Sequence, residues 1–498
     1  MHRTTPRRGA RLLLAALLGT AFGAGLIVAG PATAVELRYA DPAFQQVWTR
    51  TDGPVAAGQV GRSWYWGPAP GMIVREPFAG LPGGSHLVQY FDKSRMEIND
   101  PNGDRNSKWF VTNGLLSIEL ISGRIQTGLT SYENRAPAGI PLASDTDDTT
   151  APTYASFLSV SNTSRGDHPA NAVPGAAVTA TIDKAGHVGQ DAGRAMDVTR
   201  IAYYEPKTHH NIPGVFWTFL NATGPVREGG ATRTAPLSDP WNFATGLPIS
   251  EAYWARVKIA GAPQWVLIQA YERRVLTFVP ANDPQWRVQM GNIGQHYYEY
   301  RYGPAAATLG NAVARMAAAP SYHFESLIQL KSGNLTVPYA RQAGDFQAPD
   351  RTHFVQQSLE GTSEVITIGA TTYLSDTTTG GRWQKLGAGS SAGSIDLSSL
   401  FGVLQYAHDV TSAPDATING VPSRRLHMTL EPGVLPVVPG LSYSAADADV
   451  YLAADSGLVT RLQTNVTLAA NSNRQGFLVA TVDFSRFGQA VTIRPPTQ

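Results

Sequence analysis

The sequence predicts a mainly β protein with a few helices, an α+β fold in two parts, and three observations predict it. Glycine (49) and proline (34) are plentiful and long helical periodicities are few, a balance that favours short strands and turns. The region up to about Tyr302 repeats itself. The region after it is a succession of short alternating segments separated by turn residues, the pattern of an antiparallel sheet. With 498 residues and no cysteine, the chain relies on core burial instead of disulfides, and is long enough for two or three domains. A formal net charge of +1 implies neither nucleic acid nor an anionic membrane surface as partner.

Residues 1–34 carry the three parts of a secretory signal. Arg3, Arg7, Arg8 and Arg11 precede an uncharged run, Leu12–Gly30, and Pro31-Ala32-Thr33-Ala34 supplies an A-x-A site. The run approaches the length of a membrane span, but its glycines and the site favour cleavage after Ala34. The expected protein is exported, in the cell envelope or outside the cell, and has no cysteine to carry a lipid anchor.

Residues 35–302 form the expected duplicated β-rich module, with copies at about 64–120 and 241–302 and an insertion between them. The first copy runs Ile73–Phe78, Val88–Met96 and Val111–Leu116; the second runs Pro248–Tyr253, Ile268–Leu276 and Val288–Ile293. Each has an apolar-x-Glu step, a Gln-x-aromatic-acid-base step and a glycine after a valine. Asp92-Lys93-Ser94 and Glu272-Arg273-Arg274 lie between apolar runs and are expected at hairpin tips. Pro101 and Pro280 end the returning strands. Within the insertion, Gly175–Ile182 and Ala195–Tyr204 read as strands.

Residues 303–498 form the second part. In Gly303–Ala319, Leu309, Val313, Met316 and Ala317 give an amphipathic helix, which Pro320 stops. Strands are then expected at His323–Leu330, His353–Leu359, Ser363–Ile368, Thr371–Leu374, Arg382–Leu386, Arg424–Leu430, Asp447–Ala453, Val459–Ala469 and Gly476–Phe484. One helix interrupts them at Asp396–His408, with Leu397, Leu400, Phe401 and Leu404 on one face.

This order is similar to the LolA/LppX-type lipoprotein-carrier superfamily (LppX/LprAFG-like). The likeness rests on Phe324-Glu325 after the first helix, Val365–Gly369 followed by Thr372-Tyr373-Leu374 and Gly381-Arg382-Trp383, Ile418–Pro422 before a long strand, and Val450-Tyr451-Leu452 before Gly457-Leu458-Val459. The resemblance implies a curved antiparallel half-barrel capped by helices, with a gap that holds acyl chains. Leu397, Leu400, Phe401 and Leu404 would then face the cavity, and Phe354, Tyr373, Trp383 and Tyr451 would line its wall. Burial of about 0.8 kcal/mol per methylene lets such a gap hold a lipid without a charged contact. The same helix face would also suit plain core packing. The module before it is distantly similar to LGFP-type bacterial surface repeats on Gly246–Glu251, Gln269–Arg274 and Gly291, which implies contact with a cell wall or envelope glycan.

The residues for other chemistries are sparse. Glycoside hydrolysis needs two placed carboxylates, and Glu76, Asp92, Glu97, Glu119, Glu251 and Glu272 are available. The copies disagree, however: aligned on Gln89 and Gln269, Glu97 meets Thr277. Asp92 and Glu272 each sit beside a base, which suits a salt-bridged turn. His209-His210 would point to opposite strand faces, and Asp145–Asp148 lacks the spacing of a calcium loop and reads as solvated. No cofactor is expected. The reading is a non-catalytic, lipid-binding envelope protein; an envelope-glycan hydrolase and a structural or adhesive surface protein are the alternatives.

Overall fold

The computed structural model describes residues 37–358, 361–376, 380–386, 397–435, 442–469 and 476–497, and the side chains of 397–400 lie outside that description. The expected signal segment also lies outside it. Among the described residues no helix is long and apolar enough to cross a membrane. The chain forms two compact units: Tyr39–Ala307, and Thr308 onward together with Leu37 and Arg38.

In the Tyr39–Ala307 unit, helices α1 (Pro42–Thr51) and α2 (Gly53–Ala56) precede strands β1 (Pro70–Pro77), β2 (Ser85–Phe91), β3 (Ser94–Ile98) and β4 (Thr112–Asn113), which pair in that order. Helix α3 (Leu116–Ser122) follows and ends on Gly123, whose φ of 71° supplies the left-handed cap. Two short hairpins are β5 (Arg124–Gln126) with β6 (Tyr132–Asn134), and β9 (Ile201–Glu205) with β10 (His210–Pro213). Helix α4 (Gly214–Leu220) leads to a third, β11 (Thr223–Glu228) with β12 (Ala231–Pro236). The largest sheet of the unit joins β7 (Ala180–Ile182), β8 (Val188–Gln190), β13 (Tyr253–Ile259), β14 (Ala262–Ala270), β15 (Val275–Phe278) and β16 (Val288–Met290), in the order β16-β15-β14-β13-β7-β8. Only the β13–β7 contact is parallel. Helix α5 (Ile293–Tyr302) follows β16 as α3 follows β4.

Both charged trios lie at hairpin turns, between β2 and β3 and between β14 and β15. Val74 of β1 faces Val88, and Tyr253 of β13 faces Ile268. The core of the unit gathers Phe44, Trp66, Met96, Phe216, Trp254, Leu267 and Phe278.

Helix α6 (Pro304–Ala317) buries Leu309, Val313 and Met316. It leads into one 11-stranded antiparallel sheet that does not close. Its strands are β17 (Ser321–Ser332), β18 (Leu335–Gln347), β19 (Arg351–Ser358), β20 (Gly361–Ile368), β21 (Thr371–Asp376), β22 (Gln384–Lys385), β23 (His408–Ile418), β24 (Val421–Leu430), β25 (Tyr443–Ala453), β26 (Val459–Leu468) and β27 (Gly476–Ser485). They run in the order β22-β21-β20-β19-β18-β17-β27-β26-β25-β24-β23, with helix α7 (Leu397–Leu404) between β22 and β23 in sequence. The sheet is a curved half-barrel capped by helices.

Two of these strands, β18 and β23, were not expected, because each carries a proline. Pro338 sits at a bulge opposite Gln329. Pro414 falls in an irregular stretch of β23, which is an edge strand. Bulges and edges are where a strand tolerates a missing N–H. Gly344 of β18 lies opposite Phe354, and a Cβ there would come within 2.4 Å of the Phe354 Cβ, so the strand can run only with glycine at that point. Asn419 (φ 49°) and Gly420 (φ 84°) form the two-residue turn between β23 and β24.

Candidate functional site

The half-barrel sheet has two chemically different faces, and strict alternation produces them. On one face β17 places Tyr322, Phe324, Ser326 and Ile328; β19 adds Phe354, β20 Val365, β24 Leu426 and Met428, β25 Ala448 and Val450, and β27 Val482 and Phe484, all buried. The other face is ionic. Arg461 pairs with Asp483 (2.5 Å), Arg425 with Asp449 (2.7 Å), and His323 lies 2.7 Å from Asp345. The ionic face is compatible with water, and the apolar face needs cover.

Helix α7 covers part of the apolar face. The Phe401 ring meets that of Phe484 at 5.3 Å between centroids. Phe484 in turn packs on Tyr322 (5.6 Å), and Tyr322 on Phe346 (4.8 Å). Phe401 and Leu404 are both buried. Beyond the helix, Gln405 is fully buried, and its side-chain oxygen accepts from the Arg38 backbone N–H at 2.7 Å. That bond ties the start of the described chain to this unit.

Toward one end of the apolar face, the described residues leave cover incomplete. Leu330 pairs with Leu478 and Val337, and all three are half-exposed. Leu374, opposite Val365 and level with Phe324, is half-exposed elsewhere on this face, beside the edge strand β22. In the middle lies a buried polar step, where Gln342 Nε2 donates to Gln356 Oε1 at 2.7 Å. Gln342 Oε1 is buried with no hydrogen-bond partner.

The register separates the residues singled out in the sequence. Phe354 is on the apolar face with Phe324, 6.1 Å between rings. Tyr373 pairs with Ile366 and Lys385, one step out of phase with Val365 and Leu374, so it lies on the outer face. Tyr451 pairs with Arg425 and Arg461 on the outer face, where the Arg425 guanidinium stands 5.7 Å from its ring. These two positions are corrected: Leu374 and Val450 hold the inward places beside them. Trp383 precedes β22 and is half-exposed. Leu397 and Leu400 belong to the α7 backbone, and their side chains lie outside the described residues.

The Tyr39–Ala307 unit gathers the carboxylates considered for hydrolysis, but encloses them. Arg95 Nη1 is 3.1 Å from Glu76 Oε2, its Nη2 is 2.6 Å from Glu97 Oε1, and Glu119 Oε1 is 3.8 Å away. Arg301 reaches Glu76 at 3.4 Å. The Tyr90 and Tyr302 hydroxyls both donate to Glu76 Oε1, at 2.5 and 2.8 Å, and the Tyr297 hydroxyl donates to Glu119. Burial alone would raise the Glu76 pKa, but Arg95 first, then His86, Arg301 and Tyr90, hold it well below the usual range. Burial dominates at Glu119 and pushes it up to about 7 against Arg95 and Tyr297. The set is buried and its members are paired with one another. Sequence reasoning missed the set because its members come from distant elements: β1, β3, α3 and α5.

The remaining candidates also find protein partners. Glu251 Oε1 accepts from the Asn211 backbone N–H (2.9 Å) and lies 3.1 Å from His210 Nδ1, while His209 sits at a turn with φ 56°. The expected salt-bridged turns are not formed: Asp92 accepts from Gln295 (2.8 Å) and Glu272 from the Leu247 backbone (3.0 Å). Their basic neighbours turn inward. Lys93 Nζ donates to the Met290 carbonyl at 2.6 Å, and fully buried Arg274 stacks 4.9 Å from the Trp66 ring centre. The acidic loop is not simply solvated. Asp145 accepts from the Ala260 and Gly261 N–H groups, and Asp148 from those of Thr150, Ala151 and Lys258. Among the described residues no group of three His, Asp or Glu side chains is placed to hold a metal.

No model of a known protein family and no curated protein matches the sequence, so the LGFP-type likeness finds no support. Solved structures do match. The Mycobacterium tuberculosis lipoprotein LppX matches at 17% identity over 38% of this chain and 97% of its own, with a TM-score of 0.29. LprF from Mycobacterium bovis matches at 13% identity over 39% and 97%, TM-score 0.29. A LolA superfamily protein from Nitrosomonas europaea matches at 10% identity over 39% and 94%, TM-score 0.18.

Proposed function

We propose that this is an exported cell-envelope protein whose C-terminal half-barrel binds a lipid or another apolar ligand without catalysis. The observation that carries the reading is the half-exposed apolar row Val337, Leu330 and Leu478, on a face whose other strands bury core residues. An acyl chain laid along that row gains about 0.8 kcal/mol per methylene buried. We read the Tyr39–Ala307 unit as a duplicated module that contacts the envelope, and residues 1–34 as the segment that directs export.

The test is to express the protein in an envelope-bearing bacterial host, extract it with organic solvent and analyse the extract by mass spectrometry, beside Phe401→Arg. A stoichiometric lipid, lost in the variant while circular dichroism is kept, is the expected result. A lipid-free protein that also takes up no added fatty acid overturns the reading.

A further inference from the structure

The Tyr39–Ala307 unit contains a cleft of about 710 Å³ whose lining includes Trp265, Arg256, Lys258, Asp147, Asp183 and His187. Its floor is one end of the β8-β7-β13-β14 sheet. Arg256 pairs with Trp265 and Lys258 with Pro263 across β13 and β14, and Thr181 pairs with Gly189 across β7 and β8. Gly189 keeps that floor low, since a Cβ there would stand 2.9 Å from Thr181 Oγ1. One wall is the turn from Asp183 to His187, closed by His187 N–H on Asp183 Oδ1 at 2.9 Å. The other wall is the acidic loop, fixed by the backbone donors that Asp145 and Asp148 accept from the β13–β14 hairpin.

We propose that this cleft binds a neutral oligosaccharide. The argument begins with charge. Asp148 is consumed by the Thr150, Ala151 and Lys258 N–H groups. That leaves Asp147 and Asp183 against Arg256 and Lys258, a balance that favours an uncharged ligand. The groups also stand as neighbouring donors and acceptors, with Lys258 Nζ 2.5 Å from Asp147 Oδ2. A sugar hydroxyl both donates and accepts, so it can insert between such partners and satisfy each. Trp265 supplies an indole to carry the apolar C–H face of a sugar ring. Its ring is held by Arg194, which stacks 4.8 Å from the ring centre and is itself paired with Asp191 at 3.1 Å. An acyl chain would desolvate Arg256 and the Lys258–Asp147 pair while offering them no hydrogen bond, at a cost of several kcal/mol, so the cleft and the half-barrel select different ligands. The inference deepens the envelope-contact reading of this unit and is independent of lipid binding.

The experiment is calorimetric titration of the whole protein with a β-1,4-linked N-acetylglucosamine tetramer, and with β-1,4- and α-1,4-glucose tetramers, together with sedimentation on insoluble cell walls. At least one tetramer is expected to bind. Arg256→Ala, at an exposed position, and Trp265→Ala are each expected to weaken it about tenfold or more, with circular dichroism unchanged in Arg256→Ala. Absence of binding to all three tetramers, or binding undiminished in Arg256→Ala, overturns the cleft. Sedimentation with walls that persists in both variants, when no tetramer binds, overturns the cleft and leaves envelope contact standing through another surface. Failure to sediment while a tetramer binds leaves the cleft standing and removes envelope contact.

Discussion

Phe401 of α7 and Phe484 of β27 lie 83 positions apart and bring their rings within 5.3 Å, at an interplanar angle of 48°. This contact fixes which face of the half-barrel is inside. Every residue in phase with Phe484 along the ladder is then an inner residue, and every residue one step away is an outer one.

Face assignment has a direct test at three aromatic positions. Phe354 lies in phase with Phe324 and is buried, whereas Tyr373 and Tyr451 lie on the ionic face. Phe354→Ala is expected to cost about 3–5 kcal/mol in urea unfolding and to reduce lipid load. Tyr373→Ser and Tyr451→Ser are expected to cost under about 1 kcal/mol and leave the load unchanged. Equal losses at all three positions would refute the register.

The buried amide pair predicts non-additive behaviour. Gln342→Leu removes the donor that Gln356 Oε1 accepts from, and is expected to cost about 1–3 kcal/mol. The double change Gln342→Leu with Gln356→Leu removes both polar groups and the unpartnered Gln342 Oε1. It is expected to be close to wild type or more stable. A thermodynamic cycle of the four proteins measures the coupling.

Arg95 is the hub of the ionic set in the other unit. Arg95→Met leaves Glu76 and Glu97 buried without their nearest cation. The expected loss is about 3–5 kcal/mol, read as a lowered melting temperature. A loss under about 1 kcal/mol would show that water reaches the set.

Glu119 predicts a pH dependence of definite sign. Its folded pKa is pushed up to about 7 from an ordinary 4.5, chiefly by burial. Between those values the folded state holds a proton that the unfolded state has released. Stability from this group is therefore full below about pH 4.5 and is lost as pH rises through 7. Glu119→Gln removes the dependence, so its stability relative to wild type should rise by up to about 3 kcal/mol between pH 5 and pH 8. Glu76, held low, acts with the opposite sign below its ordinary pKa, and it is common to both proteins. Urea midpoints across that range test the difference.

The sequence by itself determined the strand-rich class, the helical stripe of Leu309, Val313 and Met316, the apolar face of α7 through Phe401 and Leu404, and the turns at Lys93 and Arg274. Each is a local property, set by periodicity of two or 3.6 and by residues suited to turns. Strands β18 and β23 were hidden because Pro338, Gly344 and Pro414 carry a local signal for irregularity, which a bulge, a facing aromatic and a free edge override. Tertiary structure alone decided the facing of Tyr373 and Tyr451, because a one-residue step in register exchanges the two faces. It also decided that Glu76, Glu97 and Glu119 meet on Arg95 in the interior. Such meetings depend on how distant elements pack, and no spacing within a single element encodes them.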